Sequence, residues 1–232
     1  MIKVLLWDID GTILDFLAAE KAAIKKCFEI MNLGICTDEM VADYSLINCK
    51  YWEMLERGEM TKAEILVCRF REFFEKIGIN TAVAEEFNSM YQIRLGDTIC
   101  YKPNAREMLD KYSGSLVQCA VTNGTVVAQR RKLSASGLDR VFDHIFISEE
   151  VGSEKPNRTF FDEVFKVIGR YDSSEVMIIG DSLTSDIRGG NNAGILTCWY
   201  NQQHKINDKG ETVDYEIDDL AKVAEIIDRE MI

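Results

Sequence analysis

Short apolar runs alternate with longer amphipathic stretches along most of this 232-residue chain. The runs that read as β-strands cover residues 3–7, 116–121, 144–147, 176–179 and 195–199. Because they are almost continuously apolar, each strand is expected to be buried on both faces. Helical stretches are predicted between them at roughly 125–136, 159–169, 185–193 and 219–230. This order predicts an α/β fold with a Rossmann-like, doubly wound parallel sheet, whose ligands bind at the carboxyl ends of the strands.

One long interval, residues 15–96, lacks a convincing strand and is rich in helical patterns. A typical stripe contains Phe70, Phe73 and Phe74 at helical spacing. Thr61 and Glu64 form a capping-box pattern ahead of that stripe. We therefore predict an inserted all-helical cap domain over 15–96, and a catalytic core built from 1–14 and 97–232.

Two carboxylates follow the first strand in the run Asp8-Ile9-Asp10-Gly11-Thr12. Asp8 has the chemistry of a carboxylate nucleophile, and Asp10 that of a general acid and base two residues further on. An ordinary turn explains an Asp and Gly run about equally well, so this motif alone does not decide the function.

The second strand ends in Thr122, Asn123 and Gly124, which offer a hydroxyl, an amide and backbone N–H groups for binding phosphate. A helix N-cap is an equally good explanation of the same residues. Lys155 follows the third strand and is a candidate catalytic and phosphate-binding cation, although a lone loop lysine is usually solvated.

The fourth strand ends at Gly180-Asp181-Ser182, and Asp186 follows five residues after Asp181. Mg²⁺ prefers hard oxygen ligands and keeps several waters, so Asp8, Asp181 and the Asp10 position, through its backbone carbonyl, are sufficient protein ligands. Asp186 is predicted either to bind the metal through water or to orient a ligand. A role as a helix cap is an alternative that suits Asp186 better than Asp181.

These signals share one position, the carboxyl end of a predicted parallel strand. In that order they resemble the four motifs of the haloacid dehalogenase superfamily, matched by the run from Asp8, by Thr122 and Asn123, by Lys155, and by the run from Gly180 to Asp186. The resemblance implies a Rossmann-like core with a helical cap. Within that superfamily, the acid at position 10 favours phosphate ester hydrolysis or phosphoryl transfer over dehalogenation, and the motifs together imply Mg²⁺ and an aspartyl-phosphate on Asp8.

A narrower resemblance is to the pyrimidine 5′-nucleotidases of that superfamily. It is carried by residues 147–157, by 180–194 and by Thr197-Cys198-Trp199. It implies a pyrimidine nucleoside 5′-monophosphate as substrate. The core motifs equally permit a phosphatase or phosphomutase for a sugar phosphate or phosphoglycolate, and a catalytically silent binding subunit is a third hypothesis. In the cap, Tyr44 or Trp52 could stack on a base and Phe16 could line the entrance, but core packing is the simpler expectation.

Charge and cysteine usage limit the partners. A formal net charge of -12 and the lack of a basic tract oppose binding to a nucleic-acid polymer, but permit a small phosphorylated metabolite. The seven cysteines contain no CxxC pair, which favours free thiols in a reducing cytoplasm. The first apolar run is too short for a membrane span. We expect a cytoplasmic monomer or homodimer without a membrane partner.

Overall fold

A parallel β-sheet forms the centre of the computed structural model, which describes residues 1–230. Its strands are β1 (Val4–Trp7), β2 (Val117–Thr122), β3 (His144–Ile147), β4 (Val176–Gly180), β5 (Leu196–Tyr200) and β6 (Tyr215–Ile217). They lie in the order β3-β2-β1-β4-β5-β6, and every neighbouring pair is parallel. The order reverses direction beside β1, which is where ligands bind in sheets of this kind.

Helices cover both faces of this sheet. In chain order after the insert they are α5 (Ala105–Lys111), α6 (Val126–Ser136), α7 (Ser148–Val151), α8 (Arg158–Ile168), α9 (Arg188–Ala193) and α10 (Val223–Glu230). Alternate residues of β1 enter different apolar clusters, with Leu5 and Trp7 on one face and Val4 and Leu6 on the other. Burial on both faces explains why β1 is apolar throughout.

The insert between β1 and α5 is helical and has a core of its own. It contains α1 (Phe16–Ile30), α2 (Asp38–Glu56), α3 (Lys62–Ile77) and α4 (Ala84–Leu95), with a 3₁₀ turn before α4. Aromatic rings fill its centre, where Phe70 lies 4.9 Å from Phe87 and stacks on Tyr44 at 4.9 Å between ring centroids. Thr61 and Glu64 form the capping box of α3, and Gly78 ends it in the left-handed region at φ 75°.

The predicted fold class, a Rossmann-like α/β core with a helical cap, is confirmed. The domain boundaries at 14/15 and 96/97 stay predictions. Three short elements were not predicted: β6 has three residues, α7 has four and α5 has seven, and all are too short for a reliable periodic pattern. The predicted helix over 185–193 begins instead as a π-turn over Leu183–Ile187 before α9. None of the helices in the described part of the chain has the length and apolarity that crossing a bilayer requires.

The two segments that join the insert to the core run side by side. The backbone N–H of Asp15 donates to the carbonyl of Cys100 at 2.8 Å, and that of Lys102 donates to Ile13 at 2.9 Å. Isolated bridges connect Leu14 both to Asp10 and to Tyr101. The connections between the insert and the core are therefore hydrogen-bonded directly to the loop that carries Asp8 and Asp10.

Candidate active site

The predicted site residues meet at the carboxyl edge of the sheet. Asp8 follows β1, Thr122 ends β2, and Asp181 follows β4 directly. Lys155 lies in the loop between α7 and α8. Residues separated by more than 100 positions in the chain are thus brought to one point, because parallel strands present their carboxyl ends on the same side.

Lys155 is the hub of the site. Its Nζ donates to Asp8 Oδ1 at 2.8 Å, to Asp186 Oδ1 at 2.6 Å and to the carbonyl of Val121 at 2.8 Å. The side chain is only 1% exposed. Burial by itself would lower the pKa of Lys155, but the carboxylates of Asp186 and Asp8 outweigh it and raise that pKa above its usual value. Lys155 is therefore a permanent cation beside Asp8.

The carboxylates of Asp8, Asp181 and Asp186 form a cluster in which one oxygen atom of each lies within 4.8 Å of the others; Asp8 and Asp186 are buried and Asp181 is half-buried. Burial, reinforced by the neighbouring acids, raises the pKa of Asp8 although Lys155 opposes the shift. Burial also raises the pKa of Asp181 to about 7, with Asp186 adding to the effect. Three clustered acids beside one lysine carry excess negative charge, and their hard oxygen atoms are the ligands that Mg²⁺ prefers. The donor set therefore fits a magnesium ion.

Hydrogen bonds hold Asp181 and Asp186, the two acids of the fourth motif, in place. Trp199 Nε1 donates to the backbone carbonyl of Asp181 at 3.0 Å. Asp186 Oδ2 accepts from the backbone N–H of Ser182 at 3.1 Å, while its Oδ1 accepts from Lys155. Since both oxygens of Asp186 already have partners, the geometry favours an orienting role for it over direct metal binding. That choice stays a prediction.

Gly11 and Gly180 lie where the side chains of Asp181 and Asp186 leave no room for a Cβ atom. A Cβ added at Gly11, whose φ is 102°, would lie 2.5 Å from Asp181 Oδ2. At Gly180 a Cβ would lie 2.2 Å from the Asp186 carboxylate. Each position therefore requires glycine for the acids to lie as they do.

Asp10 has a different set of partners. Its Oδ1 is paired with Lys132 Nζ and its Oδ2 accepts from Gln129 Nε2 at 2.7 Å. Lys132 and Gln129 are both buried, and both belong to α6. The carboxylate of Asp10 is not part of the three-acid cluster, so a metal ligand at this position would be its backbone carbonyl, as predicted.

The second-motif residues hold the loop together. Thr122 Oγ1 accepts from the backbone N–H of Gly124 at 3.1 Å. The Asn123 amide bonds twice to the main chain of Lys155, accepting from its N–H at 2.9 Å and donating to its carbonyl at 2.7 Å. The side chain of Asn123 is thus a clamp on the Lys155 loop. Whether Thr122, Asn123 and Gly124 bind phosphate stays a prediction.

A cavity of about 530 Å³ opens above these residues. This volume lies in the roughly 300–1,000 Å³ range typical of small-molecule sites. Its floor contains Asp8, Asp10, Thr122, Asn123, Gly124, Lys155 and Asp181. Its roof comes from the cap and contains Phe16, Glu20, Ser45, Asn48, Trp52, Glu56, Arg69 and Gln92. Trp52 and Phe16 therefore line the cavity, whereas Tyr44 is fully buried in the cap core, the simpler of its two expectations.

Two contacts join the roof to the floor. Thr184, within the fourth motif, donates a hydrogen bond to the carboxylate of Glu56 at the end of α2. Thr125, the N-cap of α6, donates to Gln92 on α4 at 2.8 Å. Burial raises the pKa of Glu56 to about 7. Cap and core are therefore hydrogen-bonded across the cavity.

Sequence reasoning missed Lys132 and Gln129. The signal that could have indicated them is their spacing of three on α6, which puts both on one helix face directly after the Thr122–Gly124 loop. Nothing in the sequence identifies Asp10 as their partner, since the contacts span 119 and 122 positions.

Comparison with known proteins gives consistent matches over nearly the whole chain. A HAD-hydrolase of Bacillus subtilis, YfnB, is 36% identical over 98% of this chain and 96% of its own length. Its crystal structure, bound to magnesium and described as revealing interdomain movement, matches with a TM-score of 0.92 at 35% identity, covering 97% of this chain and 98% of that one.

Two further relatives carry the name pyrimidine 5′-nucleotidase. PynA of Streptococcus pneumoniae is 32% identical over 99% of this chain and 97% of its own length. YjjG of Escherichia coli is 30% identical over 82% of this chain and 84% of its own. The predicted resemblance to a superfamily with nucleotidase-like members is confirmed.

The family model described as haloacid dehalogenase-like hydrolase matches residues 5–200, a span that includes the inserted helices and all four site motifs. With the strand-end site and these relatives, the match confirms the prediction of an enzyme: the chain belongs to the haloacid dehalogenase-like hydrolase family.

Proposed function

We propose that this protein is a Mg²⁺-dependent phosphatase that hydrolyses a small phosphate monoester through an aspartyl-phosphate on Asp8. The observation that carries the proposal is the position of Asp8, which lies in hydrogen-bond contact with Lys155, beside Asp181, at the floor of the cavity between core and cap. An anionic nucleophile attacks an anionic phosphate only where cations offset the repulsion, and Lys155 supplies one such charge.

In the first half-reaction, an Asp8 carboxylate oxygen attacks phosphorus, and the phosphorus–oxygen bond to the alcohol breaks. Asp10 gives a proton to the departing alkoxide, so that a neutral alcohol leaves. In the second half-reaction, Asp10 takes a proton from water as that water attacks the aspartyl-phosphate. Inorganic phosphate leaves and the Asp8 carboxylate is regenerated.

The predicted metal site has a defined role in this scheme. Asp8, Asp181 and the backbone carbonyl of Asp10 would hold Mg²⁺, with Asp186 orienting the set. A bound Mg²⁺ would supply positive charge that stabilises the phosphoryl oxygens in the transition state. Lys155 and the Thr122–Gly124 loop would bind the other phosphoryl oxygens, with Thr122 still offering its hydroxyl hydrogen.

We further propose a pyrimidine nucleoside 5′-monophosphate as the substrate. The names of two relatives that match at 30–32% identity support this class. The cavity also supports it, because its volume and its polar roof suit a phosphate ester with a bulky, hydrogen-bonding alcohol.

The test is phosphate release from a panel of esters by purified protein with Mg²⁺. The panel contains UMP, dUMP, dTMP, AMP, ribose 5-phosphate, phosphoglycolate and p-nitrophenyl phosphate. We expect the highest kcat/KM for a pyrimidine nucleotide and no release in EDTA. Release from p-nitrophenyl phosphate alone would overturn the substrate class, and no release from any ester would overturn the phosphatase proposal itself.

A further inference from the structure

The cap side of the cavity contains a chain of buried polar side chains. The Glu20 carboxylate on α1 accepts from Ser45 Oγ and, at 2.8 Å, from Asn48 Nδ2, both on α2. Asn48 Oδ1 accepts from Arg69 Nη1 on α3 at 2.7 Å. Arg69 Nη2 donates a hydrogen bond to Asn88 Oδ1 on α4 at 3.2 Å. Each cap helix thus contributes at least one side chain to a single network.

This network holds a buried anion and a buried cation that are not paired with each other. Glu20 and Arg69 are each 1% exposed. Within the described residues neither forms a salt bridge, and Asn48 lies between them as a neutral bridge. Burial raises the pKa of Glu20 although its hydrogen bonds oppose the shift. Arg69 also lies over the rings of Phe70 and Tyr91, at 5.0 and 5.3 Å from their centroids, but in the described part of the chain neither charged group has an opposite charge as a direct partner, and buried charges in that state cost stability.

The location of these side chains suggests a functional reason for this loss of stability. Glu20, Ser45, Asn48 and Arg69 all line the same cavity as Asp8 and Lys155. A phosphate monoester whose phosphorus lies at Asp8 places its alcohol portion under the cap. The part of the substrate that leaves is therefore the part that meets Glu20 and Asn48.

The chemistry of the network defines a complementary ligand. A carboxylate only accepts hydrogen bonds, whereas Arg69 only donates them, and Asn48 Nδ2 carries a second hydrogen beyond the one given to Glu20. Acceptor and donors lie next to one another. An imide edge, in which one N–H stands beside a C=O group, is complementary to that arrangement. Uracil and thymine present such an edge, while cytosine presents a ring-nitrogen acceptor in place of the N–H.

We propose that Glu20, supported by Asn48 and Arg69, is the specificity-determining group that recognises the imide edge of a uracil or thymine base. The inference rests on the proposed phosphatase function and goes beyond it, because it assigns base recognition to named cap residues. Cytosine is disfavoured by repulsion between its ring nitrogen and the Glu20 carboxylate.

The test compares wild type with Glu20→Gln on UMP, CMP and ribose 5-phosphate. Glutamine keeps the shape and an acceptor oxygen but adds donors, so the kcat/KM ratio of UMP to CMP should fall at least about tenfold, as for one changed hydrogen-bond contact. Ribose 5-phosphate has no base, and its kcat/KM should change less than about twofold. Glu72→Gln is the matched control, since Glu72 is a cap carboxylate bonded to Lys50 outside the cavity.

Several outcomes separate this inference from the phosphatase proposal. Equal loss on all three esters, or an unchanged UMP to CMP ratio, overturns base recognition by Glu20. If wild type cleaves ribose 5-phosphate but neither nucleotide, base recognition by Glu20 is overturned and the phosphatase proposal is kept. If wild type cleaves none of the three esters, both proposals fail.

A binding measurement keeps the test decisive if Glu20→Gln folds poorly. Ser45→Ala removes one donor to Glu20 from a half-buried position and is a milder change. Calorimetry with Asp8→Asn protein, alone and combined with Ser45→Ala, should show weaker UMP binding and unchanged ribose 5-phosphate binding in the double variant. Equal affinities of the two proteins for UMP count against the proposal.

Discussion

Lys132 pairs with Asp10 across 122 positions of the chain, joining the middle of α6 to the loop after β1. The lysine is buried, and its Nζ also lies 5.3 Å from the ring centre of Phe16 on the first cap helix. The proposed general acid and base is therefore held by a residue that touches both core and cap.

Replacing Lys132 by Met should lower kcat for UMP at least about tenfold, because small displacements of a catalytic group cost one to two orders of magnitude. Turnover of p-nitrophenyl phosphate should fall less, since its leaving group needs no proton from Asp10. Steady-state kinetics on both esters checks this. Arg130→Met is the control, as Arg130 forms an exposed ion pair with Glu150. Equal losses on the two esters would argue against a role through Asp10.

Asp8→Asn should lose turnover by several orders of magnitude and keep its fold, because the amide has the same shape but is not a nucleophile. Single-turnover phosphate release measures the first effect and the circular dichroism spectrum the second. Turnover near the wild-type level would contradict an aspartyl-phosphate on Asp8.

Asp10→Asn should slow hydrolysis of UMP more than that of p-nitrophenyl phosphate, by the same leaving-group argument. The two ratios of kcat/KM, wild type to variant, are the measurement. If both esters lose the same factor, Asp10 acts through structure and not through proton transfer.

Mg²⁺ should raise the Tm of the wild-type protein, since a ligand of the folded state stabilises it by about 2.7 kcal/mol at 100 times its Kd. Asp181→Asn should lose most of that increase. The pKa of Asp181 is raised to about 7, and a protonated carboxyl group is a poor ligand, so the Mg²⁺-dependent increase should shrink as the pH falls from 8 to 6. Thermal scans with and without Mg²⁺ at both pH values test this; an increase that does not depend on Asp181 would place the metal elsewhere.

Glu56 should make cap–core contact depend on pH. Its pKa in the folded protein is raised to about 7, because burial disfavours the ionised form more than the hydrogen bond from Thr184 favours it. The buried position of Glu56 between cap and core therefore favours the protonated carboxyl group. The stabilisation is complete below the ordinary glutamate pKa and is lost as the pH rises through about 7. Hydrogen exchange at the end of α2, in metal-free protein, should therefore be faster at pH 8 than at pH 6 after correction for intrinsic rates. Glu56→Gln should abolish that difference, and a variant that retains it would refute the assignment.

The parts of this protein that sequence predicts best are those set by local pattern. The runs around Val4, His144 and Val176 become strands within one residue of their predicted ends, because apolar continuity is a local property. The proximity of Asp8, Lys155 and Asp181 can also be predicted from the sequence, because a parallel topology places the carboxyl ends of the strands on one edge of the sheet.

What could not be predicted depends on tertiary contact. Pairing of Asp10 with Lys132, and of Glu56 with Thr184, requires the packing of α6 and α2 over the sheet edge. The second role of Asn123, as a clamp on the Lys155 main chain, likewise depends on a loop 32 positions away. Side-chain amides and lysines carry no periodic signal that would identify such partners.

The cap leaves and rejoins the core at neighbouring backbone positions, since Asp15 and Cys100 are joined by a 2.8 Å hydrogen bond. An insert whose two ends coincide in space can be lengthened, shortened or exchanged while the sheet beneath it keeps every strand in register. A single gene rearrangement could thus replace the cap while leaving the core residues of the site unchanged. For protein engineers, the same seam is a natural place to graft caps that accept other phosphate esters.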